Sequence, residues 1–169
     1  MKKLLVVFVL VFVLGGCGNY EKDTPPLPDL NFNGNMSVTY NDFEMMCTID
    51  NNLATGCRIT VSEPELISGL NMSIIEGKCM VSMGDIIFEI DSSLYKKSEF
   101  ASELVEIFGQ ILKSTDVQKL QNGNWQYFGN TSYGKYNLIQ DSVTGYPVSV
   151  SLPEADLYIK FRDMKPSIK

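Results

Sequence analysis

From residue 35 onward, apolar residues alternate with polar ones between turn signals that recur every seven to ten positions. A period of two indicates strands with one buried face rather than helices. The register follows if Asn41-Asp42 makes a two-residue hairpin turn, because Tyr40 then faces Phe43, Val38 faces Met45 and Met36 faces Cys47. All of these apolar residues fall on one side. A loop at Asn51 to Leu53 places Cys47 opposite Cys57 and Met45 opposite Ile59, with Ile49 and Val61 on the same face. Further on, Glu76-Gly77 pairs Ile74 with Cys79, Met72 with Val81 and Leu70 with Met83, and Gly84-Asp85 pairs Met83 with Ile86, Val81 with Phe88 and Cys79 with Ile90. On the opposite face, Lys78 falls against Asp91, an opposite-charge pair suited to solvent. Successive hairpins agree on the buried side, and a one-residue slip would destroy the agreement.

Ser98 to Lys113 breaks the alternation. Phe100, Leu104, Ile107, Phe108 and Ile111 recur at three and four residues, Ala101, Val105 and Leu112 widen the stripe, and Ser98 suits an N-cap with Glu99 and Glu103 near the start. This is one amphipathic helix. After a polar loop around Gln121 to Asn124, strands resume at Trp125 to Phe128, Lys135 to Gln140, Tyr146 to Ser151 and Asp156 to Phe161, with turns at 141–145 and 152–155. About ten strands are too many for a flat sheet, so the sheet must curl or split. The predicted fold class is mostly β (α+β): a curved antiparallel sheet, or half-barrel, wrapped around one amphipathic helix.

The first thirty residues follow other rules. Lys2 and Lys3 precede the apolar run Leu4 to Leu14, which is too short to span a bilayer needing ~20 residues but suits a signal-peptide h-region. Leu14-Gly15-Gly16-Cys17 resembles the lipobox of bacterial lipoproteins. That resemblance implies removal of residues 1–16 and a diacylglyceryl group on Cys17, with the protein anchored on the extracytoplasmic face of the cell membrane and the membrane as its first partner. Two or more acyl chains make such attachment stable. Residues 18–33 hold Pro25, Pro26 and Pro28 without apolar periodicity, so residues 17–33 read as lipidated cysteine and extended tether, with a reach of roughly 40–50 Å. The remaining 136 residues, Gly34 to Lys169, suit one domain.

Composition narrows the chemistry. Loss of residues 1–16 takes two of 14 basic residues against 20 acidic ones and moves the net charge from −6 to −8. An acidic body argues against nucleic acid and against lying flat on anionic headgroups. Histidine is absent, which removes the commonest general base and metal ligand. Cys47, Cys57 and Cys79 form an odd set without a Cys-x-x-Cys pair, so neither zinc nor redox chemistry is expected. Cys47 and Cys57 either form a cross-strand disulfide, if their Cα atoms lie within ~7 Å, or stay buried free thiols. No nucleophile motif, phosphate loop or metal-ligand spacing occurs, so no catalysis and no cofactor is expected.

The order of elements, with a lipobox in front, resembles the superfamily of outer-membrane lipoprotein carriers and their lipid-anchored relatives (LolA-like). The stretches "VSEPELISGLNMSI" (61–74) and "YNLIQDSVTGYPVSVSLPEADLYIKF" (136–161) are similar to small lipoproteins of this fold, and the resemblance spans most of residues 35 to 162. It implies an acyl chain bound between sheet and helix. One departure is Cys17: the shuttling carriers are soluble, whereas a lipidated Cys17 keeps this protein at its membrane.

The candidate ligand-binding residues are therefore those predicted to point inward: Met36, Met45, Met72, Val81, Met83, Phe88, Phe100, Leu104 and Phe108. Methionine lines adaptable lipid cavities, yet it also fills gaps in ordinary cores, and a helix stripe is usually core. Two functions stay open. One is a binding domain for a lipid or acylated molecule, acting by desolvation; the other is an interaction module with a filled core that docks a protein partner through edge strands or the aromatic cluster Trp125, Tyr127, Phe128, Tyr133 and Tyr136.

Overall fold

Asn41 and Asp42 take positive φ values of 50° and 63°, the mirror-image turn whose twist matches paired strands. They join β1 (Phe32–Tyr40) to β2 (Phe43–Asn52) in the predicted register, with Val38 opposite Met45 and Met36 opposite Cys47. The computed structural model describes residues 24–90 and 100–167. Four further strands continue the meander: β3 (Gly56–Glu63), β4 (Asn71–Ile75), β5 (Lys78–Met83) and β6 (Ile86–Ile90). The helix α1 (Phe100–Ile111) follows, and then β7 (Val117–Lys119), β8 (Trp125–Thr131), β9 (Gly134–Gln140), β10 (Pro147–Leu152) and β11 (Leu157–Pro166).

All eleven strands belong to one open sheet in the order β6-β5-β4-β3-β2-β1-β11-β10-β9-β8-β7. The chain thus builds two meanders and seals them by pairing β1 with β11, Met36 against Phe161 and Val38 against Ile159. The sheet is not closed into a barrel. It curves into a half-barrel, as predicted, and carries one α-helix among the described residues.

Alternation decides the two faces. Phe32, Met36 and Val38 of β1 and Met45, Cys47 and Ile49 of β2 are buried, while their odd-and-even neighbours meet solvent or half-exposed surroundings. Helix α1 lays Phe100, Ala101, Leu104, Ile107, Phe108 and Ile111 into the concave side, where it touches β4 and β8. Each Leu, Ile or Phe so buried contributes ~1.5–3 kcal/mol of transfer free energy.

Packing begins ahead of Gly34, inside the stretch expected to be tether, of which residues 17–23 lie outside the described residues. Leu30 and Phe32 are core residues. Asn51 Nδ2 donates to the Leu30 carbonyl at 2.6 Å, and Gln140 Nε2 donates to that of Pro26 at 3.2 Å. From Pro26 onward the proline-rich stretch is held against the sheet. Cys17 lies outside the described residues, as do Ser98 and Glu99 at the expected helix cap.

Candidate ligand-binding face

The nine predicted inward residues separate into two groups. Met36, Met45, Met72, Phe100, Leu104 and Phe108 are buried in the central core. Phe32 meets Phe108 edge to face at 5.6 Å between ring centroids, and Phe108 meets Phe161 at 6.3 Å. Aromatic rings fill the space between helix and sheet there. Val81 is only half-buried, and Met83 and Phe88 are exposed, at 44% and 62%.

The position of the helix explains the division. Because α1 sits against β4 and β8, β5 and β6 extend past it at the edge of the sheet. Register places Val81 opposite Phe88 and Met83 opposite Ile86, with Met72 opposite Val81 on the inner side. Val81, Met83, Ile86 and Phe88 therefore form one apolar patch that continues the core. Ile86 is 59% exposed. On the other face of β6, Ile87 is 68% exposed. Asp91, expected opposite Lys78, lies outside the described residues; Lys78 Nζ meets Glu89 at 3.0 Å.

The cysteine register differs from the expected one. Cys47 faces Val61, Ile49 faces Ile59, and Cys57 faces Asn51. The three-residue turn 53–55 moves every partner by four positions. An even shift leaves each side chain on its face, so both residues are buried as expected, but they are not opposite each other and both are free thiols. Burial pushes each thiol up to about 12, with the charge of Asp50 adding to the effect at Cys57.

One polar feature of the concave side was not anticipated. Glu103 is buried on α1 although it is a carboxylic acid, and its Oε2 has no hydrogen-bond partner. Burial, reinforced by the charge of Glu106, pushes its carboxyl up to about 7, against the opposing hydrogen bond from Tyr40. Glu106 is itself tied to the β8–β9 turn by Ser132, whose amide and hydroxyl donate at 2.9 and 2.7 Å. The signal was present in the sequence: position 103 lies three residues after Phe100 and four before Ile107, within the buried stripe.

Two open hollows, of about 510 and 460 Å³, lie on the convex side. The first is rimmed by Glu44, Glu63, Lys160 and Arg162 and the second by Asp50, Arg58, Asp163 and Lys165. Charged walls make both poor hosts for an acyl chain.

No protein-family model matches the chain, and no curated protein matches it. Solved structures similar to it include a DUF1329 family protein from Desulfovibrio piger (TM-score 0.49, 10% identity, 86% of this chain and 88% of that one). A LolA superfamily protein from Nitrosomonas europaea (TM-score 0.44, 10% identity, 85% and 88%) is also similar. So is a putative outer membrane lipoprotein-sorting protein domain from Vibrio parahaemolyticus (TM-score 0.44, 12% identity, 80% and 84%). The LolA-like resemblance read from strand order reappears in the descriptions of the last two. At these identities the likeness is one of fold.

Proposed function

We propose that the protein is a non-catalytic extracytoplasmic lipoprotein, anchored through Cys17, that holds a lipid or other acylated molecule against the open apolar end of its half-barrel. The observation that carries this reading is the patch of Val81, Met83, Ile86 and Phe88, which prolongs the core beyond the helix and exposes three large apolar side chains. Covering such a surface with an acyl chain removes apolar area from water on both partners, at ~25 cal/mol per Å². No bond is made or broken. Met72, opposite Val81, joins the patch to the packed core.

A second reading has its own observation. Ile87 exposes an apolar side chain on the opposite face of β6, and among the described residues β6 is an edge strand whose outer side is unpaired. A protein partner that adds a strand there pairs the open edge and reaches side chains on both faces of β6, whereas a lipid covers only the concave one.

The test uses a Cys17→Ser protein, so that the anchor contributes no lipid. Native mass spectrometry and lipid extraction are expected to find a co-purifying lipid that Phe88→Asp releases and Ile87→Asp retains. Loss of binding with both variants favours the protein partner, and clean apo protein at full occupancy removes the lipid reading.

A further inference from the structure

The end of the sheet from which the chain departs toward Cys17 carries its own apolar tips. Leu27, immediately after Pro26, is 90% exposed, and Val143 in the β9–β10 turn is 89% exposed. The two belong to one surface: the Asp29 amide donates to the Gly145 carbonyl at 3.0 Å, and a Cβ on Gly145 would stand 3.0 Å from the Leu27 carbonyl oxygen. Leu53, in the β2–β3 turn at the same end of the sheet, is exposed as well, and its amide bonds Asn31 Oδ1 at 3.0 Å. Val143 is presented rigidly. Asp141 Oδ1 accepts from the amides of Val143 and Thr144 and from the Thr144 hydroxyl, at 3.0, 2.7 and 2.9 Å.

We infer that this end of the sheet faces the bilayer that holds the anchor, with Leu27, Leu53 and Val143 inserted among the lipid headgroups. The inference rests on the lipidation of Cys17. The length and exit of the chain select a membrane as the occupant. Only residues 18–25 separate Cys17 from Pro26, whose carbonyl accepts from Gln140, so the reach is at most ~30 Å at ~3.6 Å per residue. This is shorter than the 40–50 Å expected from the sequence, and it starts beside the apolar tips. An acidic body gains nothing from anionic headgroups, which leaves apolar insertion as the available contact. The same orientation points Met83 and Ile86, at the opposite end of their strands, away from that membrane.

The lipidated full chain is reconstituted in phosphatidylcholine vesicles with an environment-sensitive fluorophore on Leu27→Cys, Val143→Cys or Leu66→Cys. Leu66 is 85% exposed but lies between β3 and β4, at the far end of the sheet. All three positions are on the surface, so circular dichroism is expected to match the parent. Quenching by lipids bearing nitroxides in the upper ~5–10 Å of the bilayer, where interfacial side chains reside, is expected at 27 and 143 at about twice the level at 66 or more. Equal or absent quenching at 27 and 143 overturns the inference. So does a blue shift in native membranes that is missing in protein-free vesicles, which assigns the surface to a protein. Intact mass is measured on the same samples: a mass without diacylglycerol on Cys17 refutes the anchor itself, a result distinguishable from a lipidated protein whose tips stay dry.

Discussion

The Tyr40 phenol on β1 faces the carboxyl of Glu103 on α1 and favours its charged form, coupling sheet and helix through a buried acid. The neighbouring charge, that of Glu106, has the same sign, and Tyr133 in the β8–β9 turn completes the titratable surroundings of the pair. With its carboxyl near 7 in the folded protein against 4.5 otherwise, Glu103 keeps a proton that the unfolded chain has already released. Stability therefore falls as pH rises from about 4.5 to about 7, and above 7 the loss is complete at ~1–3 kcal/mol once solvent screening is allowed for. Glu103→Gln keeps the shape without the charge. Urea denaturation is expected to find this variant equal to the parent near pH 4.5 and more stable by ~1–3 kcal/mol at pH 8. An unchanged difference across that range would mean that Glu103 does not titrate there.

The division of the predicted ligand residues into core and open patch has an energetic signature. Phe108→Ala removes a ring packed against Phe32 and Phe161, and a cavity of that kind costs ~3–5 kcal/mol. Phe88→Ala removes a ring that is mostly in water, with an expected change within ~1 kcal/mol. Chemical denaturation of both variants checks this, and similar losses would place Phe88 in the core.

The hairpins at Asn41-Asp42, Glu76-Gly77 and Gly84-Asp85 were legible, and the reason is local, whereas the two-residue turn Ser132-Tyr133 between β8 and β9 carries no such turn pair and was not read. Asn41-Asp42 and Glu76-Gly77 tolerate positive φ, which pins the pairing of both flanking strands. The β2–β3 turn lacks such a pair. Its register depends on Gly56, at φ 101°, where a Cβ would collide with the carbonyl of Ile74 on β4, a tertiary constraint that no local pattern expresses. Faces survived where partners did not, since alternation is blind to a shift of four. Leu30 and Phe32 were missed because two apolar residues among prolines carry no period. The three residues of β7 were missed because they are too few to show one. Met83 and Phe88 were assigned to the correct face, but their exposure depends on where α1 lands, across β4 and β8, and nothing within β5 or β6 records that.

The thiols of Cys47 and Cys57 offer a direct check of the corrected register. Both are buried, and at about 12 neither forms thiolate at ordinary pH, so the attacking species is scarce and inaccessible. Native Cys17→Ser protein at pH 8 is expected to resist alkylation at both positions and to react at both in urea without prior reduction, as read by mass spectrometry. A need for reductant would reveal a disulfide and restore the register in which the two cysteines face each other.

Gly129 pairs with Tyr136 across β8 and β9, and the tyrosine ring lies over it so closely that a Cβ would overlap the outer ring atoms. A glycine inside a strand usually weakens it, yet here the absent side chain makes room for a buried aromatic. The ring has little freedom to withdraw, because Tyr136 belongs to the core. Gly129→Ala is therefore expected to destabilise the protein by ~1–3 kcal/mol through overpacking, although alanine is the better residue for most backbone positions. Combining it with Tyr136→Leu tests the mechanism. If the clash is the cause, the alanine substitution costs less in the leucine background than in the parent, and a double-mutant cycle reads a coupling of ~1 kcal/mol between the two positions. Additive losses would instead assign the effect of Gly129 to backbone conformation alone.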